Sequence, residues 1–217
     1  MSNYINPLHP PIPSAAHSSY TALANACPQT LPLQPPFGPI LPTVRRLPQT
    51  PWTPHSKWNA TMSRSKPSQP IMFDLFGARS MGLGVPMREM STRSANAIEQ
   101  MIVGARDNVA ALMAGSGGTR KIRFRIMWPG YEHLDFNRTI ELCTQNGPIT
   151  RGQIVSQISS MFARFLERLP SEAPGPHGQE WRTGPPGRGI SYDRLILVAL
   201  WNVFEDTWMA EVLVDVR

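Results

Sequence analysis

No aspartate or glutamate occurs in residues 1–70. A segment without carboxylates holds no carboxylate pair for acid–base work. Its charges, Arg45, Arg46, Lys57, Arg64 and Lys66, are all positive. Cysteine is nearly as scarce. Cys27 and Cys143 are the only two, too few for a disulfide framework or for a zinc site by themselves. Two lone thiols fit a reducing compartment. Long apolar runs are missing as well. The richest, LILVALWNVF from Leu195 to Phe204, is about half the ~20 residues that cross a bilayer, so no membrane partner is expected. The opening MSNYINPLHPP has no basic stretch followed by an apolar one and reads as no secretory signal. The sequons at Asn59 and Asn137 therefore carry no weight. An intracellular protein, cytoplasmic or nuclear, is expected.

What the chain has in excess is proline, and its placement divides the sequence. Of 23 prolines in 217 residues, 15 lie in residues 1–70 and eight in the remainder. Residues 71–217 carry 16 basic and 15 acidic side chains, so the net charge of +6 belongs mainly to the front. Ordering seventy residues costs on the order of 70–140 kcal/mol of backbone entropy. Burying the front's sizeable apolar side chains, Trp52 and Trp58 among them, returns roughly 24–48 kcal/mol. The expectation is a disordered basic Pro-rich tail over 1–70 and a globular domain over 71–217, with Phe37, Trp52 and Trp58 free to dock on the domain or on a partner.

Within 71–217 the periodicities predict an α+β fold, with helices near 94–114, 150–169 and 191–204 and strands near 121–128, 138–145 and 208–216. Ile98, Met101, Ile102, Ala105, Val109, Leu112 and Met113 share one side of the first helix, although Gly104 interrupts it. Ile122, Phe124, Ile126 and Trp128 alternate with Lys121, Arg123, Arg125 and Met127, the period of a half-buried strand. RTIELCT, from Arg138 to Thr144, alternates in the same way and offers that strand a partner. A hairpin register setting Ile126 against Ile140 also sets Arg125 against Glu141. Thr150 and Gln153 have capping-box spacing ahead of the stripe Ile154, Val155, Ile158, Met161, Phe162, Phe165, Leu166 and Leu169. LILVALWNVF is apolar on nearly every side and reads as a central helix, with a buried strand as its rival.

The blocks GVPMREMSTRSANAIEQM, RFRIMWPGYEHLDF, GPITRGQIVSQISSMFARFLER and YDRLILVALWNVFEDTW resemble uncharacterised basidiomycete fungal proteins in which a variable Pro-rich front precedes such a block. The resemblance covers 71–217. It implies an intracellular fungal protein and attaches no activity, ligand or catalytic residue.

No catalytic constellation emerges from the motifs. GSGGTRK at 115–121 lacks the Gly-Lys-Ser/Thr ending of a phosphate loop and precedes a strand rather than a helix. GARSMGLG at 77–84 is no dinucleotide fingerprint. Ser191 has no nucleophile elbow around it, and Cys143 has no base beside it. Glu132, His133 and Asp135 between two strands are the best place for an enzyme site, in the loop 129–137, but a metal there needs ligands from elsewhere. No cofactor and no metal are expected. The basic tail together with Lys121, Arg123 and Arg125 of the basic strand 120–125 offers a nucleic-acid surface, weakened because Phe124 and Trp128 alternate away from the strand's charges and single strands are held by charge together with exposed aromatics. Arg45, Leu47, Pro48 and Pro51 fit the basic-xxPxxP pattern that SH3-like domains bind as a polyproline II helix. Thr50-Pro51 and Thr53-Pro54 suit proline-directed kinases. A non-catalytic module that binds a protein partner through the Pro-rich arm is the reading these features favour, ahead of nucleic-acid binding and ahead of an enzyme.

Overall fold

A computed structural model describes residues 42–52, 69–78, 82–114, 118, 120–176, 178–185 and 188–216. Residues 1–41 and 53–68, with Cys27, Phe37, Trp58, Thr53-Pro54 and the histidines at 9, 17 and 55, lie outside this description, as does His177. The fold is α+β. Strands β1 (Val44–Arg46), β2 (Ile71–Met72), β3 (Val85–Pro86), β4 (Lys121–Ile126), β5 (Phe136–Glu141), β8 (Leu195–Phe204) and β9 (Thr207–Asp215) form one mixed sheet. A two-stranded ladder, β6 (Cys143–Thr144) and β7 (Gly147–Pro148), stands apart from it. Along the sheet the order is β2-β8-β9-β4-β5, with β3 on β8 and β1 on β9. The pairing of β4 with β9 is parallel, and the other pairings are antiparallel.

The two long strands β8 and β9 are a hairpin closed by Glu205 and Asp206. No helix forms near 191–204, where the sequence predicts one: Tyr192–Arg194 make a single 3-10 turn and Leu195–Phe204 are extended. The cause is physical. The register slips between Leu197 and Ala199, so Leu195, Leu197 and Leu200 enter the core under the helices while Val198, Ala199 and Trp201 face the other side. One bulge destroys the period-two signal, and burial on both faces removes the polar half of the alternation.

Helix α4 (Arg151–Arg168) lies on one face. Thr150 accepts from the Gln153 amide and the Gln153 side chain accepts from the Thr150 amide, so the capping box forms as the sequence predicts. Ile154, Val155, Ile158, Phe162, Phe165 and Leu166 are buried against the sheet, and Phe124 meets Phe162 edge to face at 6.1 Å. Burying six such side chains is worth roughly 9–18 kcal/mol.

The helix expected over 94–114 is instead α2 (Ala95–Met101) and α3 (Ala110–Ala114), preceded by α1 (Met87–Thr92). Between them Ile102 pairs with Leu75 and Gly104 adopts φ +63°, which a helix cannot accommodate. Arg151 fastens this break: it donates to the carbonyls of Met72 (2.6 Å) and Gly104 (3.3 Å) and pairs with Asp107 (3.2 Å). Ile98, Ile102, Ala105, Val109 and Met113 still reach the core, whereas Leu112 is exposed.

Strands β4 and β5 pair as predicted in kind but not in register. Ile126 opposes Phe136, Ile122 opposes Ile140 and Lys121 opposes Glu141. The slip is an even number of residues, so the same side chains face the core. Phe136, expected in the connecting loop, is itself buried strand. At the other end β5 stops at Glu141, and Cys143 and Thr144 turn away to pair with Pro148 and Gly147. Beyond β4, Trp128 donates its indole N–H to the Trp181 carbonyl at 2.8 Å. Gly130, at φ +81°, lies so close to Gly178 that a side chain at either position would meet the other's backbone.

Residues 42–52, expected as part of the tail, belong to the folded body. Strand β1 extends the sheet along the end of β9, with Val44 opposite Asp215 and Arg46 opposite Leu213. The Leu47 N–H then donates to Val212 O at 3.0 Å and the Leu47 side chain is buried. Backbone entropy outweighs burial only for a segment that must fold on its own. A strand edge already built by β9 supplies the partners that the segment lacks.

Candidate functional site

The SH3-type motif is taken up by this edge. Arg45 pairs with Glu180 at 2.5 Å and lies over the Trp181 ring, 5.2 Å from its centroid. Leu47, which a groove-binding helix must present, is 2% exposed. Pro48 is exposed and Pro51 half-buried. Arg46 turns to the opposite face and meets the buried Glu211 at 2.7 Å, and the Trp201 indole donates to the same carboxylate at 3.1 Å. Past Leu47 the chain is held more lightly. The Gln49 side-chain amide donates to Ala210 O at 2.6 Å, and the Trp52 N–H meets the Met209 sulfur at 3.3 Å.

The basic face of β4 is occupied in the same sense. Phe124 and Trp128 are fully buried, away from the arginines. Lys121 pairs with Glu141 at 2.8 Å. Arg123 donates to Asp206 from two nitrogens, at 2.7 and 2.9 Å. The Asp206 hydrogen bond holds the Arg123 guanidinium above its ordinary pKa, against the opposing effect of burial. Arg125 pairs with Asp135, and its guanidinium lies 4.3 Å from the centroid of the Trp52 ring. Trp52 in turn meets Phe204 edge to face at 5.9 Å. The aromatic over this charged face therefore arrives from the front segment, where it covers an arginine rather than extending a stacking platform.

The loop 129–137 does not gather its polar groups. Glu132 accepts from the Gly130 amide at 2.9 Å, His133 stacks on Tyr131, and Asp135 is committed to Arg125. Among the described residues no group of three or more His, Cys, Asp or Glu side chains is placed to hold a metal ion. Cys143 is exposed on β6. The Ser191 hydroxyl is buried. The Tyr192 hydroxyl lies 3.0 Å from the Met87 carbonyl and 2.8 Å from the Ser159 carbonyl and shares its single proton between them, and burial raises its phenol pKa. Residues 115–117 and 119 of the glycine-rich connector lie outside the described residues. No described helix is long and apolar enough to cross a membrane.

A feature that the sequence does not disclose lies between β2 and β3. Phe76 is 78% exposed, on a turn whose backbone is fastened at several points. Its N–H donates to Met101 O at 2.7 Å, the Val103 N–H donates to Asp74 O at 2.9 Å, and the Ala78 N–H donates to Leu75 O at 3.2 Å. The Asp74 carboxylate, itself buried, accepts from the Gly82 amide at 2.6 Å. Val103, one residue beyond the Leu75–Ile102 pair, is exposed too. Hydrophobicity alone places a phenylalanine inside, and only the tertiary pairing with 101–103 turns this one outward. No protein-family model matches the chain, and no curated protein or solved structure is significantly similar to it.

Proposed function

We propose that the chain is a non-catalytic intracellular protein-interaction module whose partner contact centres on the Phe76 turn. The supporting observation is a large aromatic side chain held in water by a backbone that is hydrogen-bonded on both sides of it. Aromatic residues dominate the energetics of protein interfaces, and a rigid turn loses little conformational freedom when it is covered. The Pro-rich arm is the weaker contact, because an SH3-like domain would have to lift Leu47 out of the core to grip it. The anchor is therefore the turn and not the arm. Nucleic-acid binding draws less support, because Lys121, Arg123 and Arg125 each have an acidic partner.

The proposal is tested with Phe76→Ala. The exposed side chain contributes little to folding, so the thermal midpoint should stay within about a degree or two, while quantitative affinity purification should lose the partners that the parent chain enriches. An interface anchor of this kind is worth about 2 kcal/mol, roughly thirtyfold in affinity. Equal enrichment by both chains would overturn the proposal.

A further inference from the structure

We propose that Thr50 is a phosphate-acceptor site for a proline-directed serine/threonine kinase. Thr50 and Thr53 are the only serines or threonines in the chain followed by proline, and Thr50 also has a proline two residues before it, in Pro48-Gln49-Thr50-Pro51. Proline after the acceptor has no N–H. A kinase groove that offers no hydrogen-bond acceptor at that position takes proline without loss and leaves any other residue's amide unpaired. The two rings also hold the backbone extended, the conformation in which an active-site groove reads a peptide.

Placement supplies the second support. Thr50 is exposed and lies past the bond from the Leu47 amide to Val212 O. Pro48 and Pro51 have no amide hydrogen with which to continue the ladder on β9. Residues 48–52 are held to the body through Gln49 and Trp52, and not by strand pairing. This short stretch can rise into a kinase groove while Val44–Leu47 stay in the sheet. The threonine oxygen bonds to the γ-phosphorus of ATP, the bond from that phosphorus to the bridging oxygen breaks, ADP departs, and the hydroxyl proton passes to the kinase's catalytic base. The product carries nearly two negative charges in a segment whose charged neighbours in sequence are Arg45 and Arg46.

The test uses the full chain, a purified proline-directed kinase and ATP, with intact-mass and fragment-ion mass spectrometry. The chain should gain phosphate on Thr50, Thr50→Ala should lose it, and Thr53→Ala should leave it in place. Pro51→Ala should slow it by about tenfold or more, because the next amide then goes unpaired. Trp52→Ala removes the clasp beyond Thr50 and should speed the transfer severalfold. A free peptide of residues 45–56 reports that the kinase is competent. Phosphate on the peptide but not on Thr50 of the chain would overturn the proposal, and so would phosphate on Thr50 at a rate indifferent to Pro51→Ala.

Discussion

Glu205 is the one non-glycine residue with positive φ among those described, at 41°. It occupies the two-residue turn between β8 and β9, where the twist of the strands demands left-handed backbone that a Cβ disfavours. The Asn202 side-chain amide secures the turn by donating to Glu205 O at 2.6 Å. The Glu205 carboxylate adds little, since its approach to Arg123 is 4.0 Å and both side chains are well exposed. Glu205→Gly should therefore raise stability by about 0.5–1 kcal/mol, read as a higher urea midpoint at unchanged slope. Arg46 and Glu211 are the opposite case. A carboxylate buried in the sheet requires its guanidinium, so neither side chain is free to serve a partner without unfolding the edge.

At the scale of elements, β4 separates two readings of one pattern. Its alternation of basic and apolar residues is legible in the sequence, and so is the side that faces the core. The acids that answer Arg123 and Arg125 are not legible, because Asp206 and Asp135 come from turns whose positions depend on register. The consequence is measurable. Binding of a fluorescent single-stranded oligonucleotide should be undetectable at physiological salt, and substituting Lys121, Arg123 and Arg125 together by Gln should not change the anisotropy; a steep salt-dependent loss in the parent chain would contradict this. Helix α4 is fully legible because its cap and its stripe are both local signals. Strand β8 is not, since a bulge erases its periodicity, and the 94–114 helix fails because Ile102 finds a strand partner in Leu75, far away in the sequence. Phe76 could not be found at all from sequence, because its exposure is set by that same pairing.

At the scale of the whole molecule, the folded body draws on the front as well as on residues 71–217. The Val216 amide donates to Thr43 O at 2.9 Å, and β1 continues the contact through Leu47. If this edge is part of the cooperative sheet, the Leu47 amide should exchange with deuterium as slowly as amides within β9, whereas a detached arm would exchange at the rate of an unstructured peptide. Composition hid the edge: three residues of strand among prolines give no periodic signal, and the partner that stabilises them is distant.

That distance has a consequence for synthesis. Arg46 and Glu211 are 165 residues apart in the chain. A ribosome makes the first long before the second, so the early strand waits, without its neighbour, until β9 has emerged. A piece translated ahead of the helices and of the central hairpin is laid into the sheet only after them, and the order of assembly runs against the order of translation.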